Sequence, residues 1–194
     1  AASDVYKRQR VFLAMSLDGF IAGGDDDLSW LPEPPYDDEG SPDALSYEQF
    51  IADVGALLMG RGTWDVVRGF DVEWPWGDRP VLVATHRELD PGAPRQVRRV
   101  DGPIGELVAD AKRAAAGKDV YIDGGVLVRQ ACAAGLVDEM TISIVPVTLG
   151  SGHPLFTGLQ DRLRWTIVDV HRSLGGMVQL RLTPLQDPPP TSAT

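Results

Sequence analysis

Ala56-Leu57-Leu58-Met59-Gly60-Arg61-Gly62-Thr63-Trp64 is an apolar run that breaks into Gly-Arg-Gly-Thr. The run has the length and composition of a buried strand, and the residues after Thr63 can open a helix. A strand feeding a helix through glycine leaves backbone N–H groups without partners. The positive end of the helix dipole lies behind them, a combination that suits a phosphate. Arg61 adds a forked cation and Thr63 a hydroxyl. Taken alone, the segment fits a plain strand–turn–helix with a surface arginine equally well.

A second junction of the same kind follows. Asp119-Val120-Tyr121-Ile122 leads into Asp123-Gly124-Gly125, and Val126 to Ala134, through Leu127, reads as a helix ended by Gly135. Paired glycines let a ligand approach the backbone with no Cβ in the way. Two strand–glycine–helix junctions in one short chain suit a dinucleotide better than a mononucleotide. Neither follows G-x-G-x-x-G, so a Rossmann domain is not expected.

The chain has 194 residues, 43% of them hydrophobic, enough for one sizeable core in one domain. A net charge of −10 argues against nucleic acid as the main partner, because a polyphosphate backbone needs a basic face. A small anionic cofactor remains possible, since it responds to a few local cations. The single cysteine, Cys132, excludes an internal disulfide and sits in a sequence that reads as a buried helix. No apolar stretch approaches the ~20 residues of a membrane span, and no secretion signal is visible, so the expectation is a cytoplasmic protein that does not enter a membrane. His86, His153 and His171 are far apart, Asp25-Asp26-Asp27 lacks the alternation of a calcium loop, and no metal is expected. Nor is there a G-x-S-x-G nucleophile.

Along the chain, 1–9 does not share the alternation that begins at Arg10 and is set outside the domain as a non-native or disordered segment. Val11 to Ser16 reads as a first strand, and Leu17-Asp18-Gly19 as a turn. The acidic, proline-rich stretch 23–43 is a long loop. Ser41-Pro42-Asp43 is expected to cap a helix over Ala44 to Asp53. Strands at 80–84 and 97–100, a helix from Ile104 to Ala116, and a strand from Met140 to Val147 follow. Two final strands, around 165–171 and 177–182, form a hairpin, and 185–194 is a disordered tail. Alternating strands and helices finished by an antiparallel pair predict a three-layer α/β domain over 10–184. Its mixed, mostly parallel sheet carries helices on both faces.

Five motifs, in order, resemble one family: 15–22 (Met-Ser-Leu-Asp-Gly-Phe-Ile-Ala), 59–64 (Met-Gly-Arg-Gly-Thr-Trp), 122–125 (Ile-Asp-Gly-Gly), 135–139 (Gly-Leu-Val-Asp-Glu) and 144–152 (Ile-Val-Pro-Val-Thr-Leu-Gly-Ser-Gly). The family is the reductase domain of the bifunctional riboflavin-biosynthesis deaminase-reductase and its stand-alone relatives, built on the dihydrofolate reductase fold. The resemblance implies an NADPH-dependent reductase that passes a hydride to a small heterocyclic, imine or carbonyl substrate. It further implies that Gly60, Arg61, Gly62 and Thr63 form a phosphate-binding turn, and that Thr85, helped by His86 and Arg87, meets the adenosine 2′-phosphate. Asp123, Gly124, Gly125, Val126 and Leu127 would hold the pyrophosphate and nicotinamide, with Ser16, Asp18, Ile21 and Ala22 lining the nicotinamide and substrate pocket.

Departures from the family leave the chemistry open. The lysine that riboflavin reductases carry before Ser-Leu-Asp-Gly is absent from Phe12-Leu13-Ala14-Met15, and no basic cluster suits a ribose phosphate. Asp37, Asp38, Glu39 and Asp43 are candidates for the carboxylate with which dihydrofolate reductases hold a pterin. Asp18, Asp38 and Trp30 are the catalytic candidates, and Trp30 reads equally well as a loop anchor. Dihydrofolate reduction, or a nucleotide-binding protein that kept the fold without catalysis, are the alternatives. The resemblance also implies a homodimer. The apolar residues of the last two strands and a Pro146-interrupted strand near a sheet edge are expected to supply its surface.

Overall fold

The computed structural model describes residues 7–31, 43–70, 73–173 and 176–185. Six strands run parallel: β1 (Gln9–Ser16), β3 (Val54–Gly60), β4 (Val81–Ala84), β5 (Val97–Val100), β6 (Asp119–Asp123) and β7 (Glu139–Val145). They are joined by an antiparallel pair, β9 (Trp165–Arg172) and β10 (Val178–Pro184), in the order β5-β4-β3-β6-β1-β7-β10-β9. Strands β3 and β6 are near-continuous apolar runs because both of their faces are covered. A small ribbon of β2 (Phe20–Ala22) and β8 (His153–Pro154) stands apart.

Helices divide between the faces. Phe50 of α1 (Tyr47–Ala52) and Trp64 of α2 (Arg61–Arg68) pack with Leu57, Met59 and Val83 on one side. Leu107 and Ala111 of α3 (Ile104–Ala114) and Val128 and Ala131 of α4 (Gly125–Ala133) pack with Leu58, Leu82 and Ile122 on the other. Neighbouring strands β3 and β6 therefore send their following helices to opposite faces. Such a reversal opens a crevice at the carboxyl ends of the strands, where ligands of open α/β sheets bind.

The amino-terminal ends of the strands carry a buried ion cluster. Arg10 donates to Glu139 at 2.8 Å and lies 3.4 Å from Asp119 and 3.8 Å from Asp53. Its guanidinium also sits 4.8 Å from the Phe50 ring centroid. Arg8 joins Asp119 and Glu139 at 3.1 and 3.2 Å. Together these pairs tie β1 to both of its neighbours in the sheet.

The three-layer α/β architecture is the one expected, with several local corrections. The folded unit starts before Arg10: Gln9 is buried in β1 and Arg8 is part of the ion cluster. At the other end Leu185 still donates to the Arg164 carbonyl, while 1–6 and 186–194 lie outside the described residues. Helix α1 begins at Tyr47, not Ala44, because Ser46 and Gln49 form a reciprocal capping box, each side chain accepting the other's backbone N–H. Ser41 and Pro42 are outside the described residues. Helix α2 opens at Arg61 itself, three residues before the expected start at Trp64. Strand β7 is central, not at an edge; Pro146 follows its last residue, so the missing N–H falls outside the ladder. On β10, Met177 just before it and Leu182 within it are buried against the same chain, whereas Ile167, Val168 and Val170 of edge strand β9 are 57%, 46% and 56% exposed.

Removing the Arg10 cation would leave two buried carboxylates with only the part-exposed Arg8 as counter-charge. Arg10→Ala is expected to cost about 3–5 kcal/mol in urea unfolding. Asp53→Asn, at the exposed partner, should cost less than about 1 kcal/mol. Similar losses for the two would contradict the assignment of the cluster as the lock on β1.

Candidate functional site

Both predicted junctions arrive at one place. Gly60 is the N-cap of α2 and Gly124 the N-cap of α4, and neither offers a side chain to cap its helix. The two helices therefore present first-turn N–H groups that no cap side chain meets. Gly124 has φ +92°, and a Cβ there would collide with the Thr63 hydroxyl, so only glycine lets the two turns pass this closely. A Cβ at Gly125 would meet the Ile21 side chain at 2.8 Å.

A cavity of about 780 Å³ opens over these turns, within the usual size of a small-ligand site. Ala22, Gly60, Arg61, Gly62, Thr63, Thr85, His86, Asp123, Gly124, Gly125, Val126 and Leu127 all line it. Among the residues singled out from sequence, Ser16 and Arg87 do not. Ser16 is fully buried below the turn, accepting from the Phe20 amide and donating to Asp18. Arg87 points to Asp65 at 3.6 Å, and its amide donates to the Thr85 hydroxyl.

Of the three catalytic candidates, Asp18 and Trp30 do not line the cavity. Asp18 accepts from the Ser16 hydroxyl and from the Gly150 and Leu149 amides, pinning the turn after β1 to the loop after β7. That hydroxyl and those amides hold its carboxyl at about 2, so it is ionised at neutral pH and carries no proton to give. The indole of Trp30 donates to the Asp27 carbonyl, which makes it a loop anchor. Asp38 lies outside the described residues, as do Asp37 and Glu39, and Asp43 is exposed and does not line the cavity.

Three acids line the cavity: Asp26 and Asp101, each paired with a histidine, and Asp123 at the end of β6. Desolvation pushes the Asp123 carboxyl up to about 6 against the opposing pull of the Gly124 amide. Its raised pKa is a tertiary effect: in sequence it is only the last residue of an apolar strand. Burial also pushes the Tyr121 hydroxyl well above its usual range, and that hydroxyl donates to the Phe12 carbonyl at 2.9 Å. Burial raises the Cys132 thiol to about 12, which leaves it unreactive.

Of the other lining residues, Asp26, Asp101, Arg129 and His153 carried no binding signal in the sequence. His153 of β8 pairs with Asp26 at 3.0 Å, and His86 with Asp101 at 2.8 Å, both across the cavity wall. Arg61 is held by Asp65 at 2.7 Å and by the Glu88 carbonyl at 2.9 Å. Arg129 donates to the Pro154 carbonyl. Among the described residues no His, Cys, Asp or Glu group is arranged to hold a metal ion, and no helix is long and apolar enough to cross a membrane.

Fold and site define an α/β domain with a ligand crevice at the strand reversal. Residues 71–179 match the model of the RibD C-terminal domain, and the chain belongs to that family. It is 30% identical over 171 residues to the uncharacterized protein YwjB of Bacillus subtilis, spanning 88% of this chain and 94% of that one. A protein from Shewanella sp. PV-4, provisionally assigned to riboflavin biosynthesis, superposes with a TM-score of 0.79 at 33% identity, over 92% of this chain and 99% of that one. RibD of Acinetobacter baumannii shares the fold (TM-score 0.64, 21% identity); 92% of this chain is covered against 58% of that one.

Proposed function

We propose that this chain is an NADPH-dependent reductase of the 5-amino-6-(5-phosphoribosylamino)uracil reductase-like family, reducing a small heterocycle or an imine or carbonyl carbon. The observation that carries this reading is the convergence of two helix N-termini without side-chain caps, at Gly60 and Gly124, on one cavity. Donors so arranged fit a pyrophosphate, and the adjoining Arg61, Thr85 and His86 fit a 2′-phosphate. Ile21, Ala22, Gly125 and Val126 would hold the nicotinamide.

When bound, the dihydronicotinamide supplies the hydride. The chain's own part is to hold the acceptor carbon against it, keep water out, and deliver a proton to the neighbouring nitrogen or oxygen. Asp123 suits the last task. Its Oδ1 accepts the Gly124 amide at 2.8 Å, which leaves Oδ2 to carry the proton, and a carboxyl raised to about 6 is partly protonated near neutral pH. This retained acid favours catalysis over a role in nucleotide binding alone. A second copy of the chain covering Ile167, Val168 and Val170 would complete a homodimer.

Titration with the two cofactors tests the site. Arg61→Ala should weaken NADPH by about 1.5–3 kcal/mol and leave NADH almost unchanged; equal losses would overturn the assignment. In steady-state assays kcat/KM should fall above about pH 6 as Asp123 loses its proton. Asp123→Asn should lower the rate by about 10²–10⁴ and abolish that limb; an unchanged profile would move the acid elsewhere. Light scattering at micromolar concentration is expected to give twice the mass of one chain, and a single mass would rule out the dimer.

A further inference from the structure

From the distribution of charge around the cavity we infer that its substrate is an uncharged or cationic flat heterocycle, bearing neither a phosphate nor a carboxylate. This rests on the reductase reading above and narrows it. The basic groups that line the cavity are Arg61, Arg129, His86 and His153, and each already has a partner within the chain. Arg61 and His86 lie beside the phosphate-binding turns. Arg129 spends its guanidinium on the Pro154 and Leu155 carbonyls, and His153 faces the Asp26 carboxylate.

All Lys, Arg and His residues of the chain fall within the described residues, and of these only the four named line the cavity. The stretch 32–42, which follows Leu31 in sequence, contains Glu33, Asp37, Asp38 and Glu39 and nothing basic. The rest of the wall is largely apolar, with Phe12, Leu28, Leu31, Val66, Val67 and Phe70, and its charged members, Asp26, Asp101 and Asp123, are all acidic. A phosphate or carboxylate placed against it would lose its water and gain no counter-charge. It would also approach Asp123 and enter the field of a chain of net charge −10. A planar ring offering an N–H or a ring nitrogen to Asp123, with apolar edges against Phe12 and Phe70, meets none of these costs.

Paired probes test this on the full chain. NADPH binding is measured first by fluorescence titration; its absence would sink the reductase reading alone, because the probe comparison is also run on the cofactor-free protein. The probes are an aminouracil riboside with and without its 5′-phosphate, and a dihydropterin with and without its glutamyl carboxylates. The uncharged member of each pair is expected to bind at least tenfold more tightly. Phe70→Lys, which sets a cation on the half-exposed rim, should shrink that preference by raising affinity for the phosphorylated probe. A phosphorylated or glutamylated probe that binds the unaltered chain as tightly as its neutral partner would overturn the inference.

Discussion

Everything about the site depends on how closely two backbone turns pass. Where β3 gives way to α2 and β6 to α4, Gly124 rests against Thr63 with no room for a Cβ and with a φ that side chains disfavour. Neighbouring parallel strands whose helices leave on opposite faces must part at their carboxyl ends. The glycines allow the two helix starts to remain adjacent across that gap. Two dipole ends and two sets of amide donors are thereby aimed into one volume, which neither junction could achieve alone.

The opposite ends of the same strands solve a different problem. Bringing Arg10 out of water is costly, and the cost is met only because Glu139, Asp119, Asp53 and the Phe50 ring surround it. Arg8 offsets part of the remaining carboxylate charge. With β1 locked between β6 and β7 at its start, its far end can carry the turn that Ser16 and Asp18 hold against Leu149 and Gly150. Asp18 thus builds the wall of the site from behind, and its low pKa reflects that service.

Between these two anchored ends lies a cavity with an uneven distribution of charge. Its glycine-rich side offers amides, Arg61 and His86, while much of the rest is hydrocarbon around Asp123, with Asp26 and Asp101 each paired to a histidine. Low polarity near Asp123 does two things together. It holds the proton on that group closer to neutral pH, and it makes any further anion unwelcome. Binding preference and acid strength therefore follow from one environment.

Strand and helix order, the two glycine junctions and the three-layer class were legible in the sequence, because they rest on local rules: apolar runs, glycine at tight turns and period. So was the buried state of Cys132. Where two local signals competed, the structure decided: Ser46 and Gln49 cap α1 where Ser41 to Asp43 were expected to, and Pro146 ends β7 without placing it at an edge. Which carboxylate matters could not be read locally. Asp18 and Asp123 both stand beside glycine after an apolar strand, yet amides hold one at about 2 and burial lifts the other to about 6. Those environments are assembled from residues more than a hundred positions apart, as Leu149 is from Asp18 and Phe12 from Tyr121. A proton's affinity for a side chain depends on what packs around it in space, and only the tertiary structure specifies that.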